Sequence, residues 1–274
     1  MGSGPPLIFL HGFPEHWRAF APMMERFAAS HLCIAPDQRG FGRSAKPPLV
    51  EDYHIDRLAE DVAKLMGALG LKQVVLIAHD WGGLVAWHFG ARYPELVKAM
   101  VIFNAPHPSG LQHALDTDPA QRAASIYAAQ FAKPGSHVAL EARSGEDLWH
   151  AFFARDHAMG LINAADKEAQ IEAWAREGAW EAMTNWYRAS GFEFEGGDER
   201  RRPKPKPIIT PTLLVWGERD PLFTQTCLTA LNALAPNCQL YRVENGSHCV
   251  FREDLVACTE LVSGFLREQA WTLE

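Results

Sequence analysis

The chain holds 274 residues, of which 47% are hydrophobic, 22% charged and 11% aromatic, a balance that excludes disorder for most of its length and allows one large domain or two modest ones. Thirty-three acidic against 26 basic residues give a formal charge of −7, which offers no field to attract a phosphate backbone or anionic lipid, so neither nucleic acid nor membrane is an expected partner. The five cysteines, Cys33, Cys227, Cys238, Cys249 and Cys258, are odd in number and lack C-x-x-C spacing, which argues against a disulfide framework or zinc site and for reduced thiols in a cytoplasm.

At the start, Met1-Gly-Ser-Gly-Pro-Pro6 lacks the basic residues and apolar stretch of a signal peptide. No apolar run reaches the ~18 residues of a membrane helix, so a soluble cytoplasmic protein is expected. Short, nearly continuous apolar runs recur at Leu7–Leu10, Cys33–Ala35, Val74–Ala78, Met100–Phe103, Leu213–Trp216 and Leu240–Val243, the pattern of strands buried on both faces of a parallel sheet. Helical periods lie between them, such as Leu58, Val62, Leu65, Met66 and Leu69 closed by Gly70, and Leu255, Val256, Leu261, Val262 and Phe265 near the end. This alternation predicts an α/β class. It lapses between His107 and Pro207, where helical stretches such as Lys167–Arg188 take over. Residues 107–207 are therefore expected to form a helical cap inserted into a core made of residues 1–106 and 208–274. The exit, Arg200–Pro207, has five basic residues among three prolines and predicts an extended linker, its charge offset by Glu193, Glu195, Asp198 and Glu199 just upstream.

The segment Val74-Val-Leu-Ile-Ala-His-Asp-Trp-Gly-Gly83 runs from a buried strand straight toward a helix through small residues. Ala78 and Gly82 flank Asp80 at minus two and plus two, the pattern of a nucleophile elbow, in which larger neighbours would collide with the adjoining strand or helix. An Asp at the centre changes the reaction. Attack on an acyl carbon would give a reactive anhydride, whereas attack on a saturated carbon bearing a leaving group gives a stable alkyl ester. Opening that ester requires a base, an orienting acid and donors for the oxyanion. His248, in Glu244-Asn-Gly-Ser-His-Cys249, follows the last apolar run and can serve as the base. Asp220, in Val215-Trp-Gly-Glu-Arg-Asp-Pro221, follows the run before it and can orient the imidazole. The order Asp80, Asp220, His248 matches nucleophile, acid and histidine in the hydrolase fold.

With these residues in place, the chain resembles the α/β-hydrolase-fold epoxide hydrolases of the bacterial and soluble mammalian kind. The resemblance rests on His11-Gly-Phe-Pro-Glu15, Asp37-Gln-Arg-Gly-Phe-Gly-Arg-Ser44, His79-Asp-Trp-Gly-Gly83, Asn104-Ala-Pro-His-Pro108, Asp220 and His248, and spans nearly the whole chain. It implies that the backbone N–H groups of Phe13 and Trp81 form the oxyanion hole. It further implies that two cap tyrosines hold the epoxide oxygen: Tyr127, set before Phe131-Ala-Lys-Pro-Gly135, and Tyr187, in Asn185-Trp-Tyr-Arg188. A phenol with pKa near 10 can donate to the ring oxygen without ionising at neutral pH. The substrate implied is a small apolar epoxide bound among Phe13, Trp81, Tyr127 and Tyr187, and the product a vicinal diol.

A haloalkane dehalogenase is the nearest alternative, since it shares the Asp-Trp-Gly-Gly context. Phe13 stands where many dehalogenases carry Asn, however, and the paired tyrosines would be idle. Fluoroacetate-type dehalogenases place Arg one and four residues after the nucleophile, positions held here by Trp81 and Leu84. Asp80 and the lack of any G-x-S-x-G exclude a serine esterase, and a non-catalytic ligand-binding protein of this fold has little use for nucleophile, acid and base together. Gly40-Phe-Gly-Arg-Ser-Ala45 loosely matches a dinucleotide loop, but Pro47 and Pro48 prevent the helix that would receive the pyrophosphate. His11 and His16 lack a third ligand at sensible spacing, so neither metal nor cofactor is expected. Two departures from the family stand out. Ala78 replaces the more usual Gly of the elbow, and no β-hairpin is expected ahead of the H-G-x-P strand, where the family usually carries one. The strand around Cys33–Ala35 is then expected to be an edge in need of cover, with a homo-oligomer as one source of it.

Overall fold

The structure, a computed structural model, describes residues 1–143, 145–198 and 205–272. The apolar runs form six strands: β1 (Pro6–Leu10), β2 (Leu32–Ile34), β3 (Val74–His79), β4 (Val97–Phe103), β5 (Thr212–Gly217) and β6 (Cys238–Val243). They pair in the order β2-β1-β3-β4-β5-β6, each pairing parallel. Every residue of β3 and β5 is buried, which is why their sequences read as continuous apolar runs rather than alternations.

Three helices accompany the first half of the sheet: α1 (Ala21–Phe27), α2 (Ile55–Ala68) and α3 (Asp80–Arg92). Between β4 and β5 the described residues hold helices and connecting turns without a strand: α4 (Pro108–Thr117), α5 (Pro119–Ala124), α6 (Ile126–Phe131), α7 (Ser136–Ala142), α8 (Glu146–Phe152), α9 (Ala154–Ala158), α10 (Ala164–Trp174) and α11 (Ala179–Arg188). These make up the cap. The core then closes with α12 (Leu231–Leu234), α13 (Val250–Glu253) and α14 (Leu255–Glu268). The period-two alternation of the strands divides the interior into two layers. Leu7, Phe9, Val75 and Ile77 pack with Phe27 of α1 and Val262 and Phe265 of α14. Ile8, Leu10, Leu76 and Ala78 face Val62 of α2, Val85 of α3 and the cap.

Two expectations need adjustment. The stretch Lys167–Arg188 is not one helix, because the chain turns between α10 and α11 through Gly178, whose φ of +71° lies in the left-handed region that favours glycine. The edge strand β2 is covered by the chain itself: Cys33 and Met1 exchange backbone hydrogen bonds, N–H to carbonyl, at 2.8 Å in each direction. Of the basic linker, Arg200–Lys204 lies outside the described residues. No helix among the described residues is long and apolar enough to cross a membrane.

Cap and core are clasped by ion pairs. Arg252 of α13, its side chain 10% exposed, grips Glu15 on the core side and Asp156 of α9, 3.0 Å away, on the cap side. Arg155 reaches Glu253, and Arg18 reaches Asp166 of α10 at 2.6 Å. Burial alone would push the Glu15 carboxyl up, but the Arg252 guanidinium outweighs it, assisted by His79, and holds it at about 2. A depressed carboxylate contributes stability that is complete above its unfolded value near 4.5 and lost as pH falls through about 2. Glu15→Gln is therefore expected to destabilise the protein by about 3 kcal/mol at pH 7, as breaking a buried pair does. In urea unfolding, the gap between the two proteins should narrow as pH falls from 4.5 toward 2. A gap independent of pH would contradict this account.

Candidate active site

β3 passes into α3 without a loop, and the junction carries the strain expected of an elbow. His79 is extended (φ −136°), whereas Asp80 sits at φ +50°, a left-handed conformation that costs a non-glycine residue roughly 1–3 kcal/mol. The neighbouring backbone leaves no room for larger side chains. A Cβ on Gly82 would run into the Leu10 carbonyl, one on Gly83 into Ala105, and one on Gly12 would lie 2.5 Å from the Asp80 Cβ. Tight packing thus aims the Asp80 side chain at the Gly12–Glu15 turn beyond β1.

The Asp80 carboxylate is 5% exposed. Its Oδ1 accepts the Phe13 backbone N–H at 2.8 Å, and the Trp81 backbone N–H, next in the chain, favours the charged carboxylate. Oδ2 lies 3.6 Å from His248 Nε2. On the far side of the imidazole, Nδ1 meets Asp220 Oδ2 at 2.9 Å. Asp220 Oδ1 accepts the Leu222 N–H at 2.7 Å, which fixes the second carboxylate oxygen. Burial opposes charge on Asp80, yet the neighbouring His248 outweighs it and holds the carboxyl below the usual range. For His248, burial likewise favours the neutral form, but Asp220 and then Asp80 overcome it and raise the imidazole to about 10. In the resting site an imidazolium therefore stands between two carboxylates.

Asn104 belongs to this arrangement, although the sequence reading assigned it no role. It ends β4 at φ +39°, donates Nδ2 to Asp220 Oδ2 at 2.7 Å and accepts the Gly217 N–H at 2.9 Å. The only signal available in the sequence was a polar residue tolerant of the left-handed region at the end of a buried strand. His79 was passed over in the same way: its Nε2 donates to the His248 carbonyl at 3.0 Å, and its ring lies 4.6 Å from the His248 ring.

The cap supplies the opposite wall. Tyr127 on α6 is half-buried and Tyr187 on α11 is buried, their rings 6.1 Å apart. The Tyr187 ring stands edge-on to Phe13 and to Trp81, each at 5.0 Å, and Phe131 and Phe152 complete an aromatic lining around Phe13. Burial pushes both phenols above their ordinary value, and the Asp80 carboxylate pushes them in the same direction, so both are protonated donors in neutral solution. A cavity of about 550 Å³ adjoins Trp81, bounded by Tyr53, Leu84, Trp186 and Phe192. Asp80, Asp220, His248, Phe13, Trp81, Tyr127 and Tyr187 thus converge on one place.

Comparison with known proteins identifies the family. Residues 5–255 match the alpha/beta hydrolase fold family. The chain is 30% identical over 268 residues to AB hydrolase superfamily protein YfhM of Bacillus subtilis, covering 97% of this chain and 92% of that one. It is 30% identical over 277 residues to epoxide hydrolase 3 of Xenopus tropicalis, covering 96% and 72%. The crystal structure of a Bacillus megaterium epoxide hydrolase in complex with an inhibitor superposes with a TM-score of 0.90 at 29% identity, over 97% of this chain and 94% of that one. The chain belongs to the epoxide hydrolase family of the α/β-hydrolase fold.

As in that family's fold, a helical cap closes over a mostly parallel sheet, and here the cap brings both tyrosines to the carboxyl ends of the strands. The charge balance can be measured without any substrate. Asp80→Asn keeps the shape of the side chain and removes one of the two anions that raise His248. The imidazole midpoint, followed by NMR of the histidine ring, should fall from near 10 toward neutrality. An unmoved midpoint would show that Asp80 does not hold the proton on His248.

Proposed function

We propose that the protein is an epoxide hydrolase that converts small apolar epoxides to vicinal diols through a covalent alkyl ester on Asp80. The observation that carries the reading is a buried carboxylate, anchored through one oxygen by the Phe13 N–H, set across an aromatic site from two protonated phenols.

In the first step Asp80 Oδ2 attacks an epoxide carbon and the C–O bond breaks. The departing oxygen takes a proton from the tyrosine pair, leaving an alkyl ester and a tyrosinate. Esterification also removes the Asp80 charge that helped keep His248 protonated. The imidazole then yields its proton, the tyrosine is restored, and His248 becomes a base held in the correct tautomer by Asp220. In the second step His248 takes a proton from water while the oxygen attacks the ester carbon. Negative charge gathers on Oδ1, which already accepts the Phe13 N–H, with the Trp81 N–H as the second donor of the proposed oxyanion hole. Collapse expels the diol oxygen, which takes the proton of the newly formed carboxylic acid, and returns Asp80 to a carboxylate beside an imidazolium. Atoms and protons balance as epoxide plus water to diol, with no cofactor.

The two protonated phenols of the cap weigh against the dehalogenase alternative, because a departing halide needs no proton donor. Single-turnover hydrolysis of an aryl epoxide in ¹⁸O-water should give a first diol whose new oxygen comes from Asp80 and is unlabelled. Label in that first product would mean direct attack by water. His248→Gln should accumulate an alkyl ester visible as added mass on the intact protein. Tyr127→Phe with Tyr187→Phe should slow ester formation by roughly 10²–10⁴-fold, the range of a general acid, while the fold persists. Full epoxide opening by that double variant would return the case to halide release.

A further inference from the structure

The turn that carries the Phe13 N–H is held from the cap as well as from the core. It closes on itself through the Glu15 N–H and the Gly12 carbonyl at 3.0 Å, and presents Phe13 to Asp80 Oδ1. The peptide between Pro14 and Glu15 has its N–H taken by the Gly12 carbonyl and leaves the Pro14 carbonyl to be satisfied. Two side chains of α10 take that carbonyl: Gln170 Nε2 and Trp174 Nε1 each donate to the Pro14 oxygen at 2.9 Å. Together they fill both of its lone pairs. Gln170 is 6% exposed and Trp174 2%, so neither bond is shared with solvent. The Trp174 ring is wedged between Phe153 and Trp180, each at 5.7 Å, and the Arg18–Asp166 pair ties the first turn of α10 to the core. A polar pair reaching from the cap onto the backbone next to an oxyanion donor, and fixed at both ends, is more than a buried carbonyl requires.

We infer that Gln170 and Trp174 are positioning residues for the oxyanion hole: through the Pro14 carbonyl they set where the Phe13 N–H stands against Asp80. The inference rests on the ester mechanism above, and that mechanism gives it a sign. During ester formation, negative charge leaves the Asp80 carboxylate, so a looser Phe13 donor does not slow the step and can even speed it. During ester hydrolysis, charge builds on Oδ1, and a displaced donor stabilises it less. Loss of the two cap bonds should therefore divide the two half-reactions, whereas damage to the fold would slow both.

The test is rapid-quench single turnover of an aryl epoxide with Gln170→Leu/Trp174→Phe, following the ester by intact mass. Ester decay is expected to slow by about tenfold or more, short of the ~10²–10³ that outright removal of an oxyanion donor costs. Ester formation should be unchanged or faster. If the double variant does not fold, Gln170→Leu and Trp174→Phe alone, each keeping one donor on Pro14, should show the same division at smaller size. Ester decay at the unsubstituted rate, or an equal slowing of both steps, overturns the positioning role and leaves the ester mechanism standing. Absence of any ester in the unsubstituted protein removes the mechanism and this role with it.

Discussion

The whole site is arranged around one buried anion. A carboxylate only 5% exposed would ordinarily take up a proton, and Asp80 is further held in a left-handed conformation that a non-glycine residue adopts at a cost. The surroundings offset both penalties. Gly12, Gly82 and Gly83 let the backbones close in, the Phe13 N–H bonds the carboxylate, and the His248 imidazolium stands opposite its second oxygen. Removing any one of these leaves charge or strain without compensation, so the chemistry and the local fold answer to the same constraint.

The imidazole links Asp80 to Asp220, and its proton affinity follows the charge on its neighbours. Two anions keep it protonated; one of them disappears in the ester and returns with the product. Under the proposed mechanism, a single histidine thereby waits as an acid and works as a base without any rearrangement of the backbone. Asn104 and Leu222 restrict Asp220 to one orientation, and the His79 ring supports the His248 main chain from behind. The machinery is thus fixed from three strand ends, β3, β4 and β5, and from the loop after β6.

The cap is a part of this machinery rather than a cover for it. It contributes the phenols, grips the oxyanion turn through Gln170 and Trp174, and is locked to the core by Arg252 between Glu15 and Asp156. Because Glu15 directly follows the Pro14 carbonyl, the ionic clasp and the hydrogen-bonded grip act on adjacent residues of one turn. Motion of the cap would be felt at Asp80 through that turn.

Much of this was legible in the chain. Strands buried on both faces, such as β3 and β5, have no choice but continuous apolar runs, whereas β6, exposed at Gln239, Tyr241 and Arg242, was marked by a weaker one, and the small residues around Asp80 follow from close packing at a bend. The nucleophile, acid and base could be placed because each lies at a strand end, where local pattern and chemical type coincide. What the sequence could not disclose depends on distance: Gln170 and Trp174 lie 156 and 160 residues from Pro14, and Asn104 lies 116 from Asp220. A glutamine on a polar helix or an asparagine after a strand has no local signature of its partner. The break between α10 and α11 at Gly178 was hidden among good helix formers on either side. Local pattern determined the elements and the reacting groups, and tertiary packing alone decided which polar side chains hold them, since a hydrogen bond between distant segments exists only once both have been brought to the same place.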